Sequence, residues 1–452
     1  MASGSLFGVD FGPISGSSDS SSEKSKPKRD GKPRLIRANR HQLRLESRSL
    51  DELISDDHRA RTLWLASERL DLSAFHDEIE AVESGPGRPA IDPQILLVLW
   101  LYAISEGVGS ARQLSRLCLE HDAYRWITGG LEICHRVLSD FRVHHGKKLD
   151  QLLTELLASL MKAGVITLQT VAQDGTRVRA SAGAASFRRR KSLKKCLREA
   201  KQQVKALKTK LDEEDETTDK RKRAAGQRAA RQREKSVEEA LAALKEVEAS
   251  RRRNHKKSEP RASTTDPEAR VMKMADGGFR PAYNCQLATD VGSRLIVASR
   301  VSNSGGDMGQ VEPTLEEIQR RLGAKPQSYL VDGGYAKRES IDHLTEREIT
   351  VYARVQHNPK TRDPSKLRQR VDSPGVAAWK KRMKTKEAKE IYKLRGSTIE
   401  TINGDLKDHR GLTRFRVRGM KRVQSVLTLC VLTYNLLRAI AIAPAVVLPS
   451  TA

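Results

Sequence analysis

The sequence predicts a mixed α/β chain. An all-helical N-terminal region leads into a core of short strands and helices, and a long charged helical insertion follows the first strand. Three observations carry this. The run IDPQILLVLWLYAISEG and the segments after it, to Met161, read as successive helices. From Gly164 onward, short β-branched stretches such as VITLQTVAQDGTRV and SYLVDGGY stop at Asp-Gly turns. Between 187 and 258, positions 193, 197, 200, 204, 207 and 211 alternate by four and three, a heptad seam in a charged background. The expected division is a disordered basic tail (1–33), a helical domain (34–162) and a core (163–446) that contains the insertion (187–258).

The tail is rich in Ser, Gly and Lys and has too little apolar surface to fold. In the helical region Leu63–Leu72 reads as a short helix and GPGRP (85–89) as a hard break. SARQLSRLCLEHDAYRW, the turn at 128–130 and EICHRVLSDFRVHHGKKL then resemble a helix-turn-helix. Its second helix carries Arg136, Arg142, His144, His145, Lys147 and Lys148, which makes Arg136 and Arg142 candidate DNA contacts; a plain helical bundle is the alternative.

The first core strand is expected to end on Asp174. The insertion pairs its heptad helix, across the acidic break DEEDETTDK, with a second helix carrying Val237, Leu241 and Leu244 on one stripe. This predicts an antiparallel coiled-coil hairpin with half the chain's net charge, either a DNA or dimer arm or simply a solvated hairpin. Beyond Pro260, residues 282–290 and 294–301 flank the turn at 291–293 as a hairpin. A helix near 311–322, a strand stopping at Asp332, a helix near 337–346 and a strand at 349–355 follow. The apolar run 423–449 is long enough to suggest a membrane span, but Gln424, Asn435 and Arg438 interrupt it and Pro444 follows, so it reads as a buried helix with no membrane partner.

The chain has 452 residues, 83 Lys and Arg against 57 Asp and Glu, and a net charge of +26, a balance that points to a polyanion, most often nucleic acid. Five cysteines without a CxxC pair fit reduced thiols in a cytosolic compartment and offer no zinc site. The first thirty residues lack the apolar core of a signal peptide.

The segment IYKLRGSTIETINGDLK (391–407) holds Tyr392, Arg395, Glu400 and Lys407, and is expected to be helical from Ser397. Glu400 and Lys407 share a face, roughly 10 Å apart along the axis. By itself this reads as a solvated helix with a Glu and a Lys. With Asp174 and Asp332 at the ends of strands that can lie side by side, three carboxylates converge. Hard divalent ions, about 4 Å apart in two-metal sites, take such oxygen ligands. Asp174 would bridge the ions, and Asp332 and Glu400 would each complete one. Asp276, Asp290 and Asp307 rank behind, because none ends a buried strand ahead of a helix.

Taken together, Tyr392-x2-Arg395-x4-Glu400-x6-Lys407, AQDGT around Asp174, LVDGGY around Asp332, the stretch 265–290, RGMKR (418–422) and the helical region from Gly87 to Leu149 resemble bacterial insertion-sequence transposases of the DDE class. The resemblance spans roughly 85 to 450. It implies an RNase H-like catalytic core that cuts double-stranded DNA at the element's ends and joins the freed 3′-hydroxyl to a target. It implies two Mg2+ or Mn2+ ions, a homodimer or higher oligomer on DNA, and action at the bacterial nucleoid in the cytoplasm. It also implies that Arg395 and Lys407 contact DNA near the active site, while Tyr392 stacks, positions DNA or packs. The commonest form of the signature has three residues between Arg and Glu; here there are four. Two other readings share these residues: a DNA-binding protein that has lost catalysis, and an RNase H-fold nuclease that hydrolyses without joining.

Overall fold

A computed structural model describes residues 41, 47–81, 89–213, 220–249, 259–355 and 372–449. The expected tail (1–33), most of the 85–89 break, the acidic break after 213 and residues 356–371 lie outside them; of the basic loop that the sequence suggests at 356–388, the described part is instead helical at Pro374–Arg382 and from Lys386 onward. The chain divides into two compact units, Met1–Ser47 and Arg48–Ala452, and all that follows concerns the second.

The helical layer is built on Pro93–Ser105. Asp92 caps it by accepting a hydrogen bond from the Gln94 N–H, Pro93 opens its first turn, and Leu97 through Leu101 are at most 1% exposed. A helix apolar on every side has to be surrounded. Helices Arg59–Ser67, Asp122–Thr128 and Met420–Ile442 pack on it, and Trp100 Nε1 donates to the Leu138 carbonyl of His135–His144 at 2.9 Å; Gly146–Lys162, whose leucines at 149, 152, 153, 156, 157 and 160 form one stripe, packs on Met420–Ile442. Arg59–Ser67 begins and ends ahead of the expected Leu63–Leu72.

The strands are β1 (Thr170–Arg179), β2 (Phe187–Arg188), β3 (Ala262–Ser263), β4 (Arg270–Lys273), β5 (Phe279–Asp290), β6 (Ile296–Ser302), β7 (Ser328–Val331) and β8 (Thr350–Ala353). Six of them form one mixed sheet. β5 is antiparallel to β1 on one side and to β4 and β6 on the other; β1, β7 and β8 run parallel. β2 and β3 make a separate two-residue ladder at the root of two long helices, Arg190–Glu213 and Lys220–Ala249. These helices pack antiparallel, with Arg190 paired to Glu248 and Lys201 to Glu238. Leu193, Val237, Ala240 and Leu244 make their small apolar seam.

β1 does not end at Asp174. β5 goes on pairing with it to Arg179, so Asp174 sits in mid-strand. What ends near Asp174 is the parallel pairing with β7, whose last partners are Gln173 and Val331.

The helix Met420–Ile442 joins the layers. By length and composition it passes as a membrane span, yet 61% of its most apolar window is buried inside the protein. Its polar residues explain this. The Asn435 side chain accepts from the Ile296 N–H at 2.9 Å and donates to the Ile296 carbonyl at 2.8 Å. Gln424 accepts from the Val301 N–H at 2.7 Å and donates to the Ser299 carbonyl at 3.0 Å. Two side-chain amides three turns apart thus satisfy the outer edge of β6, where the sheet would otherwise present unpaired backbone groups. One apolar core runs continuously from the N-terminal helices through this helix into the sheet.

Candidate active site

Register brings the two candidate aspartates together. Gln173 pairs with Val331 in parallel, so Asp174 and Asp332 occupy equivalent positions one residue further on, on the same face of neighbouring strands, which lie about 4.8 Å apart. Asp332 is exposed, just before the Gly333–Tyr335 turn. Asp174 is largely covered. It accepts from the Gly175 N–H at 2.9 Å and from Asn403 Nδ2 at 3.2 Å. Burial pushes its pKa up and the charges of Asp307 and Asp332 add to this, against the pull of the Gly175 N–H and Arg395.

Glu400 arrives on a continuous helical rod: Lys386–Arg395, a π-turn at Gly396–Glu400, then Thr401–Asp408. A π-turn accommodates one extra residue in an α-helix and closes i to i+5. It sets Arg395 against Glu400, five residues on, at 2.7 Å. The same guanidinium lies 3.8 Å from Asp174 and over the Tyr392 ring, 5.9 Å from its centroid. Burial works against the Arg395 charge, yet Asp174, Tyr392, Glu400 and Asp332 together hold its pKa above the ordinary arginine value. Burial also pushes the Tyr392 hydroxyl pKa up. Lys407 is half-buried and acts electrostatically on Cys285, which lies opposite Thr176 in register, two residues along β1 from Asp174.

Asp174, Arg395, Glu400 and Tyr392 are therefore gathered, with Asp332 beside them. Arg395 stands between the carboxylates. Among the described residues no three His, Cys, Asp or Glu side chains are grouped to hold a metal ion. The donor chemistry nevertheless fits a hard divalent cation: Asp174 and Asp332 offer carboxylate oxygens, and burial first, then the charges of Asp307 and Asp332, raises the Asp174 pKa, a cost that a cation would relieve.

The two candidate DNA contacts on the second helix part company. Arg136 is exposed, as expected of a contact residue. Arg142 is only 5% exposed; it donates to the Gly109 carbonyl at 2.8 Å and lies over the Trp100 ring. It is not on an open recognition face, because the Met420–Ile442 helix packs there, with Ser425 Oγ donating to the Arg142 carbonyl. Of the neighbouring basic groups, His145 and Lys148 both turn to Glu78.

The sequence missed one residue of the site, Asn403, and ranked a second, Asp307, behind the triad. Asn403 stands at i+3 from Glu400, and 400, 403 and 407 form one helical stripe, the available signal. Asp307 lies against Gly175 and accepts from Asn284 at 2.7 Å, Gln286 at 3.0 Å and Arg177 at 3.4 Å. Its carboxylate is committed to those donors. Nothing in its SGGD context reveals that contact.

Two family models match the chain: a transposase DDE domain over residues 260–436 and a second transposase domain over residues 48–144. They support an insertion-sequence transposase. The DDE domain implies an RNase H-like α/β core, DNA as partner, and metal-dependent cleavage and strand transfer using divalent ions such as Mg2+. Asp332 and Glu400 fall inside the first match, whereas β1 and Asp174 fall between the two. No curated protein and no solved structure matches.

Proposed function

We propose that this chain binds the terminal inverted repeats of its element, cleaves DNA there and transfers the freed strand by two-metal phosphoryl transfer, with Asp174, Asp332 and Glu400 as the metal-holding carboxylates. The observation that carries this is the parallel register of β1 and β7, which sets Asp174 beside Asp332 in front of the Glu400 helix. Bound Mg2+ or Mn2+ would supply a Lewis acid for the attacking and leaving oxygens. Asp174 and Asp332 would hold the cation between the strand ends. Glu400 would join them once Arg395 swings from the carboxylates to a DNA phosphate, an exchange of one anion for another. Asn403 keeps the Asp174 carboxylate oriented meanwhile. Tyr392, Lys407 and Arg136 would contact the backbone on either side.

In this reading the π-turn accommodates the fourth residue between Arg395 and Glu400, so the variant spacing of the Tyr-Arg-Glu-Lys signature still delivers both groups to one place. The helical pair at 190–249 is an antiparallel coiled-coil insertion, and the helices before β1 form the DNA-binding region. Synapsis of two ends calls for a homodimer or higher oligomer, acting at the nucleoid in the cytoplasm.

The expected result for Asp174→Asn is loss of end cleavage with end binding kept; undiminished cleavage by the purified variant in Mg2+ overturns the assignment. One observation favours a second reading. The Arg395 guanidinium pairs with Glu400 and lies 3.8 Å from Asp174, an arrangement that a DNA-binding derivative without catalysis would tolerate. Gel-shift binding with no nicking in Mn2+ would select that reading. A strand-transfer assay on a pre-cut end separates a transposase from a purely hydrolytic nuclease.

A further inference from the structure

A cleft of about 460 Å3 opens where the start of the Ala111–Glu120 helix meets the segment around Phe415. Ser110, Arg112, Ser181, Arg414 and Arg416 line its walls and Arg142 its floor, and no Asp or Glu lines it. Arg112, Arg414 and Arg416 are exposed, and no carboxylate pairs with them among the described residues.

The geometry is built rather than incidental. The Phe415 N–H donates to the Arg179 carbonyl at 2.8 Å and the Arg179 N–H to the Thr413 carbonyl at 3.2 Å, which fixes the segment as an extended strip beside the end of β1. Phe415 and Val417 are buried, so Arg414, Arg416 and Arg418 alternate outward, with backbone positions about 7 Å apart. Ser110 caps the helix that starts at the cleft wall, and the positive end of that helix adds to the field. On the floor, Arg142 Nε is buried and has no hydrogen-bond partner. Burial, with repulsion from Arg416, pulls the Arg142 pKa down to about 10. Every feature of the cleft asks for an anion.

We propose that this cleft is a DNA-backbone site in which Arg112, Arg414 and Arg416 clamp a phosphodiester of duplex DNA above Arg142. The proposal rests on the transposase reading for its choice of polyanion. β1 links this cleft to the candidate active site. Asp174 and Arg179 are five residues apart on it, about 17 Å, or about five base pairs of duplex rise.

The test is fluorescence anisotropy of full-length protein on a random-sequence DNA duplex, titrated with salt. Each phosphate contact contributes about 0.9 to the slope of log K against log salt. Arg414→Ala/Arg416→Ala is expected to lower that slope by about 2, so that between roughly 50 and 200 mM salt the variant loses about 12-fold less affinity than wild type. Arg69→Ala/Lys162→Ala removes the same charge from a surface depression that also holds Glu68, and is expected to leave the slope within about half a unit of wild type. Both variants alter exposed side chains, and unchanged melting curves would verify their folding. An unchanged slope in the cleft variant, or an equal loss in the control, overturns the proposal. The two readings fail separately: wild type that binds with a slope set by the cleft but never nicks DNA sinks the transposase reading and leaves the cleft standing.

Discussion

The edge cap on β6 yields a quantitative prediction. Asn435 is fully buried and satisfies both backbone groups of Ile296. Asn435→Leu keeps the volume and removes both partners, leaving a buried N–H and a buried carbonyl orphaned. Each orphan costs about 1–3 kcal/mol, so the expected destabilisation is about 2–6 kcal/mol. Gln424→Leu removes an equivalent pair of bonds, but Gln424 is only half-buried and water can replace it; its cost should stay near about 1 kcal/mol. Urea denaturation midpoints measure the two losses, and hydrogen exchange localises them: the Ile296 amide should exchange at least about 30-fold faster in Asn435→Leu, the equivalent of the lower bound. Equal midpoints for wild type and Asn435→Leu, with Ile296 protection intact, would refute the reasoning that these amides seal the sheet.

Three further outcomes are expected. Asp174→Asn should raise stability at neutral pH while abolishing cleavage. The folded state raises the Asp174 pKa above its ordinary 3.8, so the ionised carboxylate costs stability above the folded pKa. That cost shrinks as pH falls through the folded pKa and is gone below 3.8, so melting curves of wild type and variant should converge on acidification. Gly175→Ala should cost about 1–3 kcal/mol, because a Cβ there would stand 2.5 Å from Asp307 Oδ1 and 2.8 Å from Asn284 Oδ1, and closer still to Gln286 Nε2; wild-type thermal stability would contradict that packing. Arg395→Ala should destabilise the metal-free protein by about 1–3 kcal/mol, since Arg395 is 14% exposed and the change leaves Asp174, 23% exposed and 3.8 Å away, without its cation. It should also enlarge the rise in melting temperature that Mg2+ produces, because the carboxylates no longer share the Arg395 charge; an equal or smaller rise would count against Arg395 as a competitor for the cation.

Local chemistry made much of the core legible. The β5–β6 hairpin announced itself by alternation around Val291-Gly292-Ser293, the Val311–Leu322 helix by its stripe, and β7 by a short apolar run that stops at Asp332. β4 escaped, because RVMK has no alternation of its own and is a strand only through its pairing with Arg280 and Pro281. The Asp174-Gly175 pair read as a strand end, since Asp-Gly is turn chemistry. Gly175 instead serves a close approach, with Asp307, Asn284 and Gln286 pressed to its Cα. Arg142 looked like a recognition-helix contact because a helix's charge pattern does not say what covers it; the covering helix begins almost 280 residues later. The four-residue spacing from Arg395 to Glu400 was visible as an anomaly, but its resolution in a π-turn depends on the flanking helices holding register on both sides.

The seal on β6 also has a consequence in time. Ile296 and Asn435 are 139 residues apart, so at roughly 5–20 residues per second a ribosome would release the strand some 7–28 s before its cap. Throughout that interval the nascent sheet offers an open ladder to any neighbouring chain. Yield should therefore depend on what guards the polypeptide during synthesis, and products that stop short of Asn435 should collect in the insoluble fraction.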